Sequence, residues 1–335
     1  MHTEFLPAHT PELFQKSVRR AAEWLRGGEV VALPTETVYG LAANAFNEMA
    51  VEKIFQVKGR PANNPVIVHV ASLEMARRCV SAFPELARRL AGCFWPGPLT
   101  LVLPRAPIVP PAVTAGGPTV GIRWPSHPLI QAVIRECDFP LAAPSANLSN
   151  QVSPTNALHV CKQLGGKIAA IVDGGQSSVG IESSVLDLTV SPPAILRPGM
   201  IHADSFAAAG VPVAGPGSSA KTAPLKSPGQ LQKHYAPKAK LLLMTWKDDA
   251  DLRAKIRELK VKPPLCHVIA HSRIPSPDLF GRVCVIPHDA EAFARAIYAE
   301  LHHCDDAGAQ TIVVEAPPET PEWAGIADRL RRAAG

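Results

Sequence analysis

Residues 30–41 read VVALPTETVYGL. The first four are apolar, which predicts a short buried strand over 30–33. The next eight, Pro34 to Leu41, combine hydroxyl groups, one carboxylate and a glycine. Polar loops that directly follow strands are where α/β folds usually place their ligand sites. The stretch therefore predicts an α/β protein that does its chemistry in its loops.

Strands and helices alternate on both sides of this stretch. Thr10 and Pro11 predict a helix start, and Gly27 predicts its end. Further helices are predicted near 48–57, 73–83, 127–136 and 155–164, and strands at 30–33, 66–70, 99–103, 120–124, 168–172, 185–188 and 194–196. Because no regular βαβ spacing runs through this part, we predict a twisted mixed sheet rather than a purely parallel one.

The chain then changes composition. From Ser205 through Lys247 there is no Asp or Glu, while six lysines occur. Residues 211–238 also carry five prolines and three glycines, which predicts a long basic linker. After it, strands at 239–244, 265–270, 283–286 and 311–315 alternate with helices at 249–259, after Asp289 and at 323–332. We therefore predict domains at 1–210 and 239–335, the second a small Rossmann-like α/β domain.

Composition excludes several classes of protein. Of 335 residues, 47% are hydrophobic and 19% charged, and the net charge is only +5, so a disordered polyelectrolyte and a duplex-coating nucleic-acid protein are both disfavoured. No apolar run approaches the ~18 residues of a membrane span, and Met1–Glu4 lacks the start of a signal peptide. We expect a soluble, cytoplasmic protein without membrane partners. The seven cysteines include no Cys-x-x-Cys pair, which favours reduced core thiols.

Six polar clusters in the first domain share one chemistry. They lie at 34–41, 58–69, 95–100, 119–123, 144–155 and 173–199. Together they supply many hydroxyls, amides and cations but few acids, a set that suits phosphate and carboxylate oxygens. The cations are Lys58, Arg60, Arg123 and Arg197, and the acids are Glu36, Asp173 and Glu182. Paired carboxylates for glycoside chemistry and a zinc cage are missing from the clusters, so no metal ligands are predicted. Catalysis here would depend on positioning and charge stabilisation, as in phosphoryl or nucleotidyl transfer.

Individual motifs are ambiguous. The chain has no Walker phosphate-binding loop, and a Gly-x-Gly-x-x-Ala match at 215–220 lies in the linker without a strand before it. Lys58 to Pro61 also fits an exposed helix end, Ser145 and Asn147 fit turn caps, and His69 fits a half-buried structural histidine. A Ser145 nucleophile lacks the Gly-x-Ser-x-Gly elbow. His302–Cys304 are adjacent on one helix, where neighbouring side chains point apart, so a metal cluster is disfavoured.

Taken in order, the clusters closely resemble the two-domain form of the YrdC-like threonylcarbamoyl-adenylate synthase family. The resemblance covers nearly the whole chain. The motifs that carry it are 34–41, 58–61, 95–100, 121–123, 144–147 and 197–199, with 227–229, 234–237 and 328–333 as the signature of the additional C-terminal domain. It implies an α/β-twist fold and condensation of L-threonine, bicarbonate or CO₂, and ATP to threonylcarbamoyl-AMP and pyrophosphate. The product feeds threonylcarbamoyladenosine formation at tRNA position 37, through a downstream transferase.

The resemblance also implies residue roles. Lys58, Arg60 and Arg197 would stabilise charge during catalysis, with Mg²⁺ bridging ATP phosphates and water. The implied ATP site contains Lys58, Arg60, Asn64, Thr119, Ser145, Asn147, Ser153, Arg197, His234 and Tyr235. The implied threonine site contains Thr35, His69, Arg123, the Ala143 backbone and Ser183. The segment around His234 and Tyr235 would close over the cavity as a lid.

Three positions depart from the family pattern. Asn150 replaces a usual Gly, Ser184 a usual Thr, and Gln230–Gln232 a Met-x-aromatic stretch. Because of the last change, the family pattern does not predict which contacts the lid makes. For the synthase, a weak contact with tRNA is also expected. Two other functions remain open: an RNA-binding module without synthase activity, and a carbamoyl-transferring maturation factor. The low aromatic content of 5% disfavours the first, and the lack of Cys-x-x-Cys pairs disfavours the second.

Overall fold

Two sheets, one before and one after the linker, organise the chain in a computed structural model that describes residues 2–214, 225–229 and 235–335. The larger sheet contains β1 (Glu4–Pro7), β2 (Val31–Leu33), β3 (Gly40–Asn44), β4 (Ile67–His69), β5 (Leu99–Pro104), β6 (Thr119–Arg123), β7 (Leu141–Ala142), β8 (Ala170–Asp173), β9 (Ser184–Asp187) and β10 (Ala194–Arg197). The smaller contains β11 (Lys240–Met244), β12 (Cys266–Ala270), β13 (Arg282–Val285) and β14 (Thr311–Glu315).

The larger sheet is mixed, as its irregular spacing predicts. Its strand order is β1-β8-β2-β3-β7-β4-β6-β5-β9-β10, and it contains both parallel pairs, such as β4 with β6, and antiparallel pairs, such as β5 with β6. The smaller sheet has the order β11-β14-β12-β13 with every pair parallel, which confirms a Rossmann-like arrangement. The exact domain limits at 210 and 238 remain a prediction.

Helices cover the sheets. They are α1 (Pro11–Arg26), α2 (Glu48–Lys58), α3 (Leu73–Arg78), α4 (Glu85–Phe94), α5 (Pro111–Thr114), α6 (Pro128–Cys137), α7 (Ala157–Leu164), α8 (Ala203–Ala208), α9 (Asp249–Glu258), α10 (Ala290–Asp306) and α11 (Ala324–Ala334). Their starts follow from local chemistry. The Thr10 hydroxyl accepts a hydrogen bond from the Leu13 amide at 3.2 Å, and Asn47 and Asp289 cap α2 and α10 in the same way.

The structure corrects several predicted elements. The helix predicted over 73–83 ends at Arg78, and Val80 instead pairs with Arg105 in an isolated bridge. Pro84 then starts the unpredicted helix α4, since proline favours an extended residue before it and tolerates a helix start after it. Strands β1, β3 and β7 were also not predicted. They are short or begin at a glycine, and tertiary pairing rather than local propensity makes them strands.

The burial of the cysteines agrees only partly with expectation. Cys79, Cys137, Cys266 and Cys304 are buried, but Cys93 and Cys161 are exposed, so the prediction of core thiols is wrong for these two. Each sits on the solvent side of an amphipathic helix, where a cysteine adds little to the core.

Within the described ranges, no helix combines the length and apolar character needed to cross a bilayer.

A close contact between two glycines joins the C-terminal helix to the larger sheet. Gly199 follows β10 and Gly325 lies in the first turn of α11. A Cβ added at Gly325 would lie 2.8 Å from the Gly199 Cα. Because only glycine permits this approach, the C-terminal helix rests directly on the end of the larger sheet.

Candidate functional site

A small cavity lies where β4 and β6 end side by side. His69 and Arg123 are the last residues of these parallel strands and are paired in register. The cavity has a volume of about 40 Å³, room for only a few water molecules. Its walls come from β4, β6 and the end of β10, from the segments after β2, α2 and β7, from the segment before β9, and from the linker. The lining residues are Thr35, Thr37, Val38, Gly40, Arg60, Ile67, His69, Arg123, Ala143, Pro144, Ser145, Glu182, Arg197, Pro228 and Tyr235.

Arg123 is buried at one wall of this cavity. Its Nη1 donates to the Thr37 hydroxyl at 2.9 Å, and its Nη2 lies 2.7 Å from a Glu36 carboxylate oxygen. The Nε atom donates to the Gly97 carbonyl at 3.3 Å. These contacts fix the guanidinium plane, and the adjoining Glu36 charge balances it. An arginine fixed in this way can present a planar fork to a small carboxylate.

The other residues of the predicted threonine site surround Arg123. Thr35 accepts from the Thr37 and Val38 amides and donates to the Val38 carbonyl, so it holds the loop in shape. His69 is buried; burial, and then the charge of Arg123, lower its pKa well below the ordinary value, which keeps the ring neutral. Ala143 lines the cavity. Ser183 lies just behind the wall, with its hydroxyl 2.8 Å from that of Thr100.

The three predicted catalytic cations are all buried but differ in their contacts. Arg60 and Arg197 line the cavity, whereas Lys58 does not. The Lys58 Nζ donates to the Ser145 and Asn147 carbonyls at 2.5 Å each and to Asn147 Oδ1 at 3.3 Å. Burial lowers the pKa of Arg60 to about 10 and also lowers the pKa of Arg197. Each cation therefore gains stability when an anion arrives beside it.

The remaining predicted ATP residues are spread more widely. Ser145 lines the cavity, and Asn147 anchors Lys58. Asn64 is fully buried, and neither atom of its amide has a hydrogen-bond partner among the described residues. Thr119 starts β6, at the opposite end from Arg123 but on the same strand face, and does not line the cavity. At about 3.3 Å per residue, roughly 13 Å separates the two ends.

Glu182 is a functional candidate to which the sequence assigned no role. It lines the cavity and is buried, and its carboxylate accepts hydrogen bonds from Ser153, Tyr298 and Arg329 at 2.6, 3.1 and 2.8 Å. Burial alone would raise the pKa of Glu182. The charges of Arg329 and Arg197 instead hold that pKa below its usual value. The only sequence signal was an acid beside Ser183 in a cluster otherwise poor in acids.

The linker contributes directly to the cavity. Pro228 and Tyr235 line it, and Tyr235 is only 1% exposed, with the Arg329 guanidinium 5.4 Å from its ring centre. The Ala236 amide donates to the Asn150 carbonyl at 2.9 Å. Asn150 has a φ of +67°, a conformation that asparagine tolerates better than most residues, which explains how it stands in for glycine here. His234, Gln230–Gln232 and the 215–220 motif lie outside the described residues.

Gly229 offers a sharp test of the linker's position. Its φ is +84°, and an added Cβ would lie 2.6 Å from Arg197 Cδ and 2.8 Å from the Tyr235 hydroxyl. We expect Gly229→Ala to displace Arg197 and Tyr235 and to lower kcat/KM about tenfold or more, a loss equivalent to about 1.4 kcal/mol. Gly308→Ala is the matched control, because Gly308 also has a positive φ of +78° but open space around it. Equal activity losses in the two variants would contradict the contact.

Metal binding has no evident protein framework in the parts of the chain that are described. There, no group of three or more His, Cys, Asp or Glu side chains could hold a metal ion. The carboxylates nearest the cavity are already engaged, Glu36 by Arg123 and Glu182 by Arg329. The residues present therefore do not fit a protein-held Mg²⁺.

Family models match both halves of the chain. The Sua5/YciO/YrdC model, described as telomere recombination, matches residues 23–199. A second model, described as the C-terminal domain of threonylcarbamoyl-AMP synthase, matches residues 198–335. The two models together span the larger sheet apart from β1, the linker and the smaller sheet.

Full-length relatives give the same result. The chain is 41% identical to the threonylcarbamoyl-AMP synthase of Pyrococcus abyssi, over 95% of this chain and 94% of the relative. It is also 41% identical to that of Bacillus subtilis, over 99% and 96%. The crystal structure of P. abyssi Sua5 complexed with L-threonine superimposes with a TM-score of 0.89 and 39% identity, covering 100% of this chain and 98% of that one.

Proposed function

This chain belongs to the threonylcarbamoyl-AMP synthase family, and from that premise we propose how its cavity uses L-threonine and ATP. The activity is that of a nucleotidyltransferase, which makes threonylcarbamoyl-AMP for threonylcarbamoyladenosine formation in tRNA. One observation carries the proposal for the site. Three buried arginines line the same cavity: Arg123, which is paired with Glu36, and Arg60 and Arg197.

The threonine end of the site is the one built around Arg123. Its guanidinium binds the substrate carboxylate, and Thr35, His69, Ser183 and the Ala143 backbone surround the rest of the amino acid. Because Arg123 takes the carboxylate, the amine is left free to add to CO₂ or bicarbonate-derived CO₂. That step forms an N–C bond and a carbamate and releases one proton. The neutral His69 ring adds no competing charge next to the amine.

The ATP end of the site is the one around Arg60 and Arg197. A carbamate oxygen attacks the α-phosphorus, the bond between the α- and β-phosphates breaks, and pyrophosphate leaves with the bond electrons. Arg60 and Arg197 offset the charge on the transferring and leaving phosphates, while Lys58 holds the loop at Ser145 and Asn147. Asn64, Thr119, Ser145, Asn147, Ser153, His234 and Tyr235 complete the proposed ATP site. Mg²⁺ enters with ATP, bound by its phosphates and water.

The linker acts as a lid over this site. Pro228 and Tyr235 line the cavity beside Arg60 and Arg197, so a displacement of this segment would open the site to the nucleotide. Closure behind the substrates would exclude water from the mixed anhydride product, which hydrolyses readily. The product then passes to a transferase that modifies tRNA, with at most a weak tRNA contact by this chain.

Pyrophosphate release from Mg-ATP tests the proposed function directly. We expect release to require both L-threonine and bicarbonate and to stop when either is omitted. Serine lacks one methyl group, a contrast worth about 10- to 200-fold in kcat/KM. Release that is independent of threonine would indicate an ATPase instead, and RNA binding without any release would indicate an RNA-binding module.

A further inference from the structure

Three side chains from the C-terminal part converge on Glu182, which lines the cavity, and on its hydrogen-bond partner Ser153, which does not. Arg329 and Tyr298 bind the Glu182 carboxylate, and the His302 Nε2 atom lies 3.1 Å from the Ser153 carbonyl. Arg329 also donates to the Glu182 and Pro198 carbonyls at 3.1 and 2.8 Å. The C-terminal part thus holds Glu182 and Ser153 by side chain and by backbone.

These contacts fix which hydrogen bonds the Ser153 hydroxyl can donate and accept. It is fully buried, and its hydroxyl lies 2.6 Å from a Glu182 carboxylate oxygen. An ionised carboxylate only accepts hydrogen bonds, so the serine proton must point toward Glu182. The lone pairs of the Ser153 oxygen are then left to accept from another group. A hydroxyl or amino group of a nucleoside fits such an acceptor.

Glu182 holds this orientation only while it is charged and correctly placed. It is 7% exposed, so its ionised form depends on the Arg329 guanidinium 2.8 Å away. Arg329 is itself 1% exposed and bonds through all three of its nitrogens. A lysine would keep the charge but could not reproduce that fork. The Gly199–Gly325 contact sets the position of α11, which carries Arg329. The position of α11 therefore affects Ser153 through Arg329 and Glu182.

We propose that Arg329 is a positioning residue for the ATP site: it fixes Glu182, and Glu182 orients the Ser153 hydroxyl so that its oxygen accepts a hydrogen bond from the nucleoside of ATP. This inference rests on the proposed function, which places Ser153 in the ATP site. It assigns to the C-terminal part an indirect share in nucleotide binding, in addition to its contact with Tyr235 of the lid.

The test is calorimetric measurement of the dissociation constant of Mg-ATP with the full chain. We expect Arg329→Lys to weaken ATP binding about tenfold and Ser153→Ala to weaken it by a similar factor, in line with the loss of one buried hydrogen bond. Because both changes remove the same contact, the double variant should bind ATP no more weakly than Ser153→Ala alone. The threonine KM for pyrophosphate release should stay within about twofold in Arg329→Lys.

Two further variants separate positioning from folding. Arg331→Gln alters an exposed arginine on the same helix and should leave ATP binding unchanged. Tyr298→Phe removes one hydroxyl next to Glu182 and should weaken ATP binding about two- to fivefold without unfolding the chain. Unchanged ATP binding in Arg329→Lys and Tyr298→Phe would overturn the inference, as would strictly additive losses in the double variant. If the unaltered chain binds no ATP, the proposed function fails first and the inference fails with it.

Discussion

Replacing Arg123 with alanine will abolish threonine-dependent pyrophosphate release. The substitution removes the fork proposed to bind the substrate carboxylate, and two charge-assisted hydrogen bonds are together worth about 3–6 kcal/mol. That corresponds to a loss of about 100- to 20,000-fold in kcat/KM for threonine. It also leaves Glu36 buried without its partner, which costs about 3–5 kcal/mol of folding stability.

Arg123→Lys separates the two effects. The lysine keeps a positive charge near Glu36, so the chain should stay folded, but it lacks the planar fork. We expect its threonine KM to rise about 100-fold while its KM for ATP changes little, with folding checked by thermal unfolding. Arg88→Ala is the control, because Arg88 is a surface arginine that pairs with Glu85 away from the cavity. A threonine KM unchanged by Arg123→Lys would refute the proposed role.

Replacing Arg197 with glutamine will have the second large effect, this time on kcat. Arg197 is buried at the cavity wall, and its Nε and Nη2 donate to the Ser183 carbonyl and hydroxyl at 3.0 Å each. Glutamine keeps some polar contact but removes the positive charge that offsets the developing charge on the phosphates. Loss of one such stabilising group costs about 100- to 1,000-fold in kcat.

Single-turnover pyrophosphate release at saturating threonine and ATP measures this effect on the chemical step. Arg19→Gln serves as the control, since Arg19 is exposed on α1. Because Arg197 also positions Ser183, a moderate rise in threonine KM is expected alongside the loss in kcat. A normal single-turnover rate in Arg197→Gln would instead assign the charge stabilisation to Arg60 alone.

Much of the fold was predictable because its signals are local. The Thr10 cap, the Asn47 and Asp289 starts and the apolar strands are set by neighbouring residues, so the sequence predicts α1, α2, α10 and the parallel second sheet. The short strands β1, β3 and β7 were missed because their pairing partners are distant in the chain. In β1, for example, Glu4 pairs with Ala170.

The site was predictable where a motif lies in one loop. Thr35, Arg60, His69, Arg123, Ser145 and Arg197 were all selected from the sequence, and the structure brings them to one cavity. The sequence did not indicate that Lys58 would sit behind the wall, held by Ser145 and Asn147, or that Thr119 would lie at the far end of β6. Those positions depend on strand register and on loop contacts between distant segments.

The sequence by itself determined the chemistry of this protein: an α/β chain with clustered cations and hydroxyls, few acids in its loops, and a basic linker before a second domain. Those properties belong to the residue types and do not depend on how the chain folds. Only the tertiary structure decided that Glu182 becomes the buried link between Ser153 and Arg329, which are 176 residues apart in the chain. The physical reason is that a buried carboxylate needs charge-bearing and hydrogen-bonding partners, and the packing of α11 against Gly199 determines which side chains can reach it.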